Sequence, residues 1–520
     1  MSLALYFLSC FILLVNTNQA AKILAVFPVP SVSHQVVFRP VTQELARRGH
    51  DVTVITTDPA FPKGGAPANL TEIDVHDVSY DIWTKNYMKQ SKGNEGDTME
   101  QLVISFKLFV DLFDVQLQNE QVQKLLRDKN QKFDVLIVEA LFRPARALAH
   151  IIKAPIILMS SFGALFDNYD IIGASTHPLL YPDPTRQRLN NLTWWGKISE
   201  MYNFLKIKSI FDNSLGSENE MLRKHFGADM PSVTEFNKNV DMLMLNVNPV
   251  FVGSQPVPPS VVFMGGLHQK PDNELPADLK SFLDSSKHGV IYLSFGTNVD
   301  PSLLPADKMQ VLVKTFSKLP YDVLWKWNKD ELPGRSKNIR ISNWFPQSDL
   351  LKHPKVKVFV TQGGLQSTDE AIEAGVPLIG VPMLGDQWFN VEKYEYHKIG
   401  IRMDLSIATE EVFKDTLLKI INDDSYRQNV IKLRTLMRDQ QQPPLERAIW
   451  SIEHLLRHGG AKHLRSPAAN ISWAEYLELE LVFTLLAGLL AILTIVVFII
   501  SKLLSLMFKK PVAKVKAKSS

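Results

Sequence analysis

Short apolar runs alternate along the chain with longer amphipathic stretches, the pattern of strands and helices taken in turn. KILAVFPVP, from Lys22, is a buried-strand pattern, and the helical stretch Val36 to Arg48 follows it and ends at Gly49. The strand pattern DVTVITT completes a β-α-β unit. The same order returns at Phe133 to Ala140 (FDVLIVEA), Arg143 to Ile152 and then APIILMS. This alternation predicts a parallel sheet that helices cover on both faces.

A second α/β body is predicted after a stretch rich in Pro, Gly and Asn, Asn246 to Val261, which is typical of an interdomain linker. Further strand patterns follow as GVIYLSFGT, YDVLWKW, KVKVFVTQGG and VPLIGVP, with helical stretches between them. The segment Phe61 to Asn130 is less regular, and we expect it to shape a cleft. The predicted fold class is α/β, with two facing Rossmann-like, doubly wound domains that bind ligands at the carboxyl ends of their strands.

Two apolar runs predict a targeting segment and a membrane anchor. Leu3 to Val15 has signal-peptide length and is followed by the small residues Ala20 and Ala21. Leu481 to Ser501 is a run of 21 residues without a charge, long enough to span a bilayer, although a buried core helix is the alternative. The lysine-only tail after it favours a cytosolic C-terminus. These features predict a single-pass type I protein with a lumenal body.

Charge and composition narrow the function classes. The 520 residues carry a net charge of +3, with 45% apolar and 21% charged residues, so a disordered, collagenous or disulfide-scaffold protein is excluded. The tail holds six lysines: Lys502, Lys509, Lys510, Lys514, Lys516 and Lys518. The remaining residues carry a net charge of −3, which leaves no basic footprint for nucleic acid. The sole cysteine, Cys10, lies in the predicted signal peptide, so the mature chain is expected to hold no disulfide.

Three N-x-S/T sequons, Asn69, Asn191 and Asn470, are candidate glycosylation sites and agree with a lumenal body. The terminal residues Lys516-Ala-Lys518-Ser-Ser have the dilysine form of an endoplasmic-reticulum address. The alternative is a polybasic tail that is attracted to anionic lipid.

The densest chemical signal lies between Trp344 and Gln387. A strand ends at Thr361, and the Gly363-Gly364 turn opens a helix from about Ser367, so backbone N–H groups and a positive helix end can hold a diphosphate without a metal. Other side chains suit the rest of a nucleotide sugar: Gln362 and Ser367 as donors, Glu370 for ribose hydroxyls, Asp386 and Gln387 for sugar hydroxyls, Trp344 to stack on a base, Gln347 for its edge, and Ser294, Gly296 and Thr297 in a second phosphate turn. Taken singly, each also fits a tight turn, a helix-end acid or a core residue.

In this order and spacing, these residues resemble the signature of the UDP-glycosyltransferase superfamily, in its animal, membrane-bound branch. The resemblance covers nearly the whole chain and implies that the C-terminal domain binds a UDP-sugar. It places Trp344 on uracil with Gln347 beside it, Glu370 on the ribose, and Asp386 and Gln387 on the sugar, with Asn390 close by. The family's T-H-G-G motif is Thr361-Gln362-Gly363-Gly364 here, and a glutamine can donate a hydrogen bond but carries no charge.

The N-terminal domain resembles the acceptor-binding half of the family, in which His34, in the loop after the first strand, matches the catalytic base. An acceptor hydroxyl must lose a proton as it attacks, and imidazole titrates near neutral pH. A carboxylate behind the ring would orient it. The family has an aspartate where this chain has Glu139, and the extra methylene displaces the carboxylate unless the strand shifts to compensate.

The resemblance implies single displacement with inversion at the anomeric carbon, with His34 as general base oriented by Glu139. No D-x-D motif and no metal-ligand spacing occurs in the chain, so no metal and no cofactor is expected. The expected partners are a UDP-sugar donor, a small lipophilic acceptor with a hydroxyl or phenol, and the lipid bilayer. Phe106 to Phe113 and Phe162 to Tyr169 are candidate acceptor-pocket walls, or simply core stripes.

The sequence leaves the donor open among glucose, glucuronic acid, galactose and N-acetylglucosamine, and glucose is preferred because no dedicated arginine stands beside Asp386 and Gln387. A homodimer also stays open. The expected location is the endoplasmic-reticulum membrane. Six segments are predicted: signal peptide 1–20, acceptor domain 21–250, UDP-sugar domain 251–445, an amphipathic strap back to the N-terminal domain 446–477, membrane helix 478–502, and basic cytosolic tail 503–520.

Two rival functions are a catalytically weak nucleotide-sugar-binding membrane protein, either a sensor or lectin-like, and a structural or adhesion receptor. The departures at Glu139 and Gln362 are the only support for the first rival. The sugar-binding residues and the retrieval-like tail speak against the second.

Overall fold

The computed structural model describes residues 20–85, 98–297, 301 and 304–508. It divides into a body that ends at Pro467 and a C-terminal unit that begins at Ala468. The predicted signal peptide, with Cys10, and the cytosolic tail from Lys509 onward lie outside the described residues.

The first sheet has seven strands within the described residues, all parallel, in the order β3-β2-β1-β4-β5-β6-β7. The strands are β1 (Lys22–Phe27), β2 (Asp51–Thr56), β3 (Leu70–Asp74), β4 (Val135–Glu139), β5 (Ile156–Ser160), β6 (Val240–Leu245) and β7 (Val261–Phe263). All residues of β4, β5 and β6 are buried, which is the signature of a sheet covered on both faces.

The second sheet has six strands in the described part of the chain, also all parallel, in the order β10-β9-β8-β11-β12-β13. They are β8 (Val290–Ser294), β9 (Asp322–Lys326), β10 (Ile339–Ser342), β11 (Val356–Thr361), β12 (Leu378–Gly380) and β13 (Gly400–Arg402). In both sheets the strand order reverses beside the first strand, the place where doubly wound sheets open a crevice for ligands.

Helices connect these strands and cover both sheets. They are α1 (Val32–Arg47), α2 (His76–Trp83), α3 (Thr98–Leu117), α4 (Glu120–Arg127), α5 (Ala149–Ile152), α6 (Asn168–Ile172), α7 (Trp194–Asn213), α8 (Leu215–Phe226), α9 (Pro249–Val252), α10 (Ala277–Ser285), α11 (Ala306–Ser317), α12 (Gln347–Leu351), α13 (Leu365–Ala374), α14 (Gln387–His397), α15 (Glu410–Asn422), α16 (Asp424–Arg438), α17 (Pro444–His458), α18 (Trp473–Tyr476) and α19 (Leu479–Met507). Short 3₁₀ turns occupy Arg143–Leu148, Val233–Asn239 and Lys462–Leu464.

The boundary expected after residue 250 is too early. Strand β7, Val261–Phe263, pairs in parallel with β6 and therefore belongs to the first sheet. The Pro- and Gly-rich stretch before it connects two strands of one domain, and such a surface connection has the same composition as an interdomain linker. The chain passes to the second domain only after Phe263.

Helix α17 returns to the first domain after the second sheet is complete. Its Ile449, Ile452 and Leu455 are buried in the apolar cluster that also contains residues of α1 and β1. Outside this cluster, the Arg48 guanidinium binds Glu446 at 2.6 Å and lies 3.4 Å from Glu453. Apolar burial, with an ion-pair network at its edge, thus holds α17 on the N-terminal domain.

The C-terminal unit contains the short α18 and the 29-residue α19. Helix α19 is apolar along its length, its side chains are exposed, and among the described residues it is the one helix long and apolar enough to cross a membrane. It extends past the predicted span of residues 478–502 at its C-terminal end.

Candidate active site

Two cavities meet inside the body at a wall that they share. The larger, of about 430 Å³, is lined mainly by the second domain, and the smaller, of about 160 Å³, mainly by the first. The side chains that line both are His34, Phe162, Asp386 and Gln387. A group bound in one cavity can therefore meet a group bound in the other at this wall.

His34 stands at the junction in direct contact with a buried carboxylate. It lies in the first turn of α1, because this helix begins at Val32, four residues earlier than predicted, and not in a loop. Its Nδ1 is 2.6 Å from Glu139 Oε1 at the end of β4. Glu139 is buried, and its other oxygen accepts a hydrogen bond from the Val29 amide at 3.3 Å.

This contact fixes the tautomer of the imidazole. A carboxylate only accepts hydrogen bonds, so His34 Nδ1 carries the hydrogen and Nε2 presents a lone pair. The ring of Phe162 meets the His34 ring edge-on, with centroids 5.6 Å apart. The glutamate side chain therefore reaches the ring in spite of its extra methylene, and His34 has the geometry of a general base.

The turn after β11 contains a position that only glycine fits. Gly363 has φ +90°, and a Cβ there would lie 2.6 Å from Val391 Cγ2. Gly364 then precedes α13, which starts at Leu365, two residues earlier than predicted. The open N–H groups of this helix end form a site for an anion. Gln362 Oε1 is buried beside them and receives no hydrogen bond from any residue in the described part of the chain.

The second predicted phosphate turn faces the same cavity. Ser294 Oγ accepts from the Gly296 amide at 3.3 Å, and Thr297 is exposed at the cavity edge. Gly296 has φ +73°, and a Cβ on it would lie 2.3 Å from Gln362 Nε2, so the two turns are in contact. The Gly296 carbonyl accepts from Lys326 Nζ at 2.9 Å.

Trp344 and Gln347 occupy the far side of the larger cavity. Trp344 is exposed, with Lys326 Nζ 4.9 Å from its ring centroid. The Gln347 amide is hydrogen-bonded within the protein: its oxygen accepts from the Tyr292 hydroxyl at 3.0 Å, and its nitrogen donates to Ser367 Oγ at 3.0 Å and to Glu370 Oε2 at 2.7 Å. Gln347 thus holds Glu370 and Ser367 in place, and its place beside the base stays a prediction.

Burial governs the charge of the two predicted donor-site carboxylates. It raises the pKa of Glu370, while the hydrogen bond from Gln347 lowers it in part. Burial also raises the pKa of Asp386, against the opposing effects of the hydrogen bond from Asn390 and the charge of His34. Asp386 and His34 both line the wall that the two cavities share.

The loop that ends at Asp386 is fixed from both sides, and Gln387 begins α14 directly after it. Gln387 Oε1 accepts from the Met383 and Leu384 amides, each at 2.8 Å, which leaves its NH₂ group for a ligand. Asn390 Nδ2 donates to Asp386 Oδ2 at 2.8 Å and to the Gly363 carbonyl at 2.9 Å. Asn390 therefore links this loop to the glycine turn.

The smaller cavity is lined mainly by apolar and aromatic side chains. Phe106 and Phe109 of α3 line it together with Phe162, Leu165 and Phe166 from the segment after β5. Other members of the two predicted wall segments, such as Leu112 and Phe113, are buried in the core. Each segment is thus cavity wall on one side and core on the other.

Three further residues belong to the site and were missed by the sequence analysis. Lys326 ends β9, and burial lowers its pKa. His268 lines the larger cavity, donates from Nε2 to the Gln366 carbonyl at 3.1 Å, and has a pKa lowered to about 4 by burial. Gln101 of α3 donates to the Met383 carbonyl and accepts from the Gly385 amide, so it ties the two domains. Of these three, only Lys326 could have been found from the sequence, because it is a polar residue at the carboxyl end of a predicted strand.

The three sequon asparagines, Asn69, Asn191 and Asn470, are all exposed. Asn69 precedes β3, Asn191 lies in the turn before α7, and Asn470 lies in the C-terminal unit before α18. All three are accessible to modification on their respective units.

Comparison with solved structures identifies the architecture as that of GT-B glycosyltransferases. UDP-glucose:anthocyanidin 3-O-glucosyltransferase, solved with UDP, aligns with a TM-score of 0.57 at 17% identity, over 85% of this chain and 100% of that chain. CalG4, the calicheamicin glycosyltransferase, aligns with a TM-score of 0.58 at 16% identity, over 84% and 99%. At this identity the likeness concerns the fold, and it confirms the predicted pair of Rossmann-like domains.

Sequence relatives cover nearly the whole chain. An ecdysteroid UDP-glucosyltransferase of Spodoptera littoralis nuclear polyhedrosis virus is 35% identical over 91% of this chain and 95% of its own length. UDP-glucosyltransferase 2 of Dactylopius coccus is 30% identical over 97% of each. The family described as UDP-glucoronosyl and UDP-glucosyl transferase matches residues 21–518. The chain belongs to this family and is a UDP-glycosyltransferase, as the motifs between Trp344 and Gln387 predicted.

Proposed function

We propose that this enzyme transfers glucose from UDP-glucose to the hydroxyl of a small lipophilic acceptor, with inversion at the anomeric carbon and without a metal. The observation that carries the proposal is the 2.6 Å contact between His34 and Glu139 at the junction of the two cavities. The larger cavity would hold the donor and the smaller one the acceptor. Their shared wall would bring the acceptor hydroxyl and the anomeric carbon together beside one base.

The reaction is a single displacement. His34 Nε2 takes the proton of the acceptor hydroxyl, the oxygen forms a bond to the anomeric carbon, and the bond from that carbon to the diphosphate oxygen breaks with its electron pair going to UDP. The imidazolium is stabilised by the carboxylate of Glu139. Attack from the face opposite the leaving group inverts the anomeric carbon.

Negative charge develops on the diphosphate as UDP leaves. The glycine turn and the N-terminal end of α13 offer backbone N–H donors and a positive dipole at that place. Gln362, whose amide oxygen lacks a partner among the described residues, completes the group once the amide turns its NH₂ towards the phosphate. These donors support leaving-group stabilisation without a divalent cation.

The donor sugar and the acceptor class rest on the relatives and on the cavity walls. The relatives named above are UDP-glucosyltransferases, and the viral one is named for ecdysteroids. Asp386 and the NH₂ group of Gln387 can bind sugar hydroxyls at the junction. The aromatic wall of Phe106, Phe109 and Phe166 favours a lipophilic acceptor of ring type.

We further propose that α19 anchors the enzyme in the endoplasmic-reticulum membrane with its body in the lumen. The apolar length of α19, the lysine-only tail and the exposed sequons support this orientation. A lumenal site would receive UDP-sugar on the same side as the glycosylated surface.

The test is UDP release by the full chain in membranes, with a panel of UDP-sugars and simple phenols, with and without EDTA. We expect turnover with UDP-glucose that survives EDTA and is lost in His34→Ala, while His288→Ala, an exposed histidine remote from the cavities, retains full activity. A product with the donor's anomeric configuration retained would refute the single displacement. UDP binding without turnover of any sugar would favour a nucleotide-sugar sensor instead.

A further inference from the structure

Helix α7, Trp194–Asn213, is buried on one face and carries large apolar side chains on the opposite face. Its inner face carries the buried Glu200, Ile207 and Phe211. Its outer face carries six large side chains that are exposed: Trp194 (75%), Trp195 (77%), Ile198, Met201, Tyr202 (63%) and Leu205. An outward apolar face of this size on a helix that already packs on its inner side requires an explanation.

The exposed side chains form one stripe. Each residue advances about 100° around a helix of 3.6 residues per turn, so the six fall within an arc of about 120° centred opposite Ile207. The stripe covers the first three turns and ends before the polar Ser209 and Asp212. Such clustering distinguishes a docking face from apolar residues scattered singly over a surface.

Lysines flank the stripe on both edges. Lys197 and Lys208 lie on one side of the arc and Lys206 on the other, and all three are exposed. Lys208 has Asp170 at 3.8 Å. Tryptophan and tyrosine prefer the boundary between headgroups and acyl chains, and lysines beside them can reach lipid phosphates. This combination matches an anionic lipid surface better than the interior of a protein interface, where lysine is depleted.

We propose that residues 194–205 form an interfacial docking face that lies on the bilayer surface, with Trp194, Trp195 and Tyr202 at headgroup level and Lys197 and Lys206 against lipid phosphates. This face is separate from α19 and does not depend on glycosyl transfer. On the inner side, Phe211 stacks on Phe166 at 4.8 Å, and Phe166 lines the acceptor cavity. Docking would thus place the helix that backs the acceptor cavity against lipid.

The proposal has a consequence for the sequon at Asn191, which is exposed three residues before Trp194. A glycan there would hold a large hydrophilic group beside the tryptophan pair and keep it in water. Docking therefore requires Asn191 to be unmodified, whatever the occupancy of Asn69 and Asn470. Asn191→Gln should leave the glycosylated mass of the protein unchanged.

The test uses the full chain in nanodiscs of phosphatidylcholine and phosphatidylserine. In a Cys10→Ser background, which removes the chain's one cysteine, Trp195→Cys, Tyr202→Cys and the control Lys287→Cys each receive a spin label. Lys287 is exposed at the end of the turn after α10. Collision with lipid-soluble oxygen is compared with collision with a water-soluble nickel chelate, and retained UDP binding confirms the fold of each variant.

We expect the labels at 195 and 202 to collide more with oxygen than with the chelate, and the label at 287 to show the reverse. Labels at 195 and 202 that favour the chelate would overturn the proposal. Labels shielded from both probes, with dipolar broadening between chains, would overturn it in favour of a face between two copies. A glycan found on Asn191 would also overturn it.

Discussion

Replacing Glu139 by glutamine tests the pair at the centre of the site with little change of shape. Both carboxylate oxygens accept hydrogen bonds, one from His34 Nδ1 and one from the Val29 amide. A glutamine has one accepting oxygen. If the amide oxygen faces His34, the NH₂ group points at the Val29 N–H, and two donors face each other. If the oxygen faces Val29, the NH₂ group donates to His34 Nδ1 and the ring hydrogen moves to Nε2, the atom that must be free to act as base.

The size of the loss follows from the charge that is removed. The nitrogen and oxygen are 2.6 Å apart, but both charges are delocalised, so their centres lie about 4 Å apart, and the attraction at an effective dielectric constant of about 20 is about 4 kcal/mol. A hydrogen bond from His34 Nδ1 to the amide oxygen would return about 1 kcal/mol of this. The net loss of about 3 kcal/mol in the transition state lowers kcat by roughly two orders of magnitude.

The assay is the initial rate of UDP release at saturating donor and acceptor, with UDP affinity measured separately by titration. Glu139→Gln should lower kcat and leave UDP affinity unchanged, because Glu139 does not line the donor cavity. Asp241→Asn is the matched control: this buried carboxylate accepts from the Ala461 amide at 2.8 Å, far from the cleft, and its change should leave kcat intact.

The size of the fall in kcat tests the role of Glu139. A fall in kcat of less than about threefold would correspond to under about 0.7 kcal/mol and would refute a charge-stabilising role for Glu139. Glu139→Asp supplies the complementary case. Its carboxylate withdraws by about one bond length and breaks a contact now at 2.6 Å, and misplacement by about 1 Å costs on the order of a hundredfold.

Three further predictions concern the donor domain. Gly363→Ala should destabilise the protein by roughly 1–3 kcal/mol, because the position has φ +90° and a Cβ would lie 2.6 Å from Val391. The control Gly216→Ala, in open space inside α8, should stabilise the protein. Thermal melting distinguishes the two variants, and equal melting temperatures would contradict the argument. Asp369→Asn should raise the melting temperature by an amount that grows from pH 5 to pH 8. Burial raises the pKa of Asp369 to about 8, so the folded state holds a proton that the unfolded state releases, and the wild type loses stability as pH rises towards 8. A difference in melting temperature between variant and wild type that does not change with pH would contradict this prediction. Gln362→His should raise kcat most at low pH, because an imidazolium there can stabilise departing UDP while an amide cannot; a pH-rate profile identical to that of the wild type would contradict this.

The strands and the ligand-binding edge of each sheet could be predicted from the sequence because fully buried parallel strands leave continuous apolar runs that end in polar or small residues. The runs at Ile23–Phe27 and Val135–Val138 are of this kind, and Gly363-Gly364 indicates a turn. The start of α1 was placed too late because Ser33 and His34 are polar residues in its first turn, where helices and loops have the same composition.

Other features depend on contacts between distant segments, which a single sequence does not reveal. The amide of Gln347 meets Tyr292 and Glu370 only once β8, α12 and α13 are packed. His268 and Gln101 lie far along the chain from the motifs and reach the cleft through the tertiary fold. The domain boundary was misplaced because the three-residue strand β7 is too short to give a periodic signal.

The return of α17 to the first domain determines when that domain can finish folding. Arg48 and its partner Glu453 are 405 residues apart, and the apolar cluster around α1 is incomplete until α17 has been made. At a synthesis rate of about 5–20 residues per second, about 20–80 s pass between the synthesis of Arg48 and that of Glu453. Throughout that interval the N-terminal domain exposes the surface that α17 later covers, so its maturation depends on protection from aggregation while the ribosome completes the donor domain.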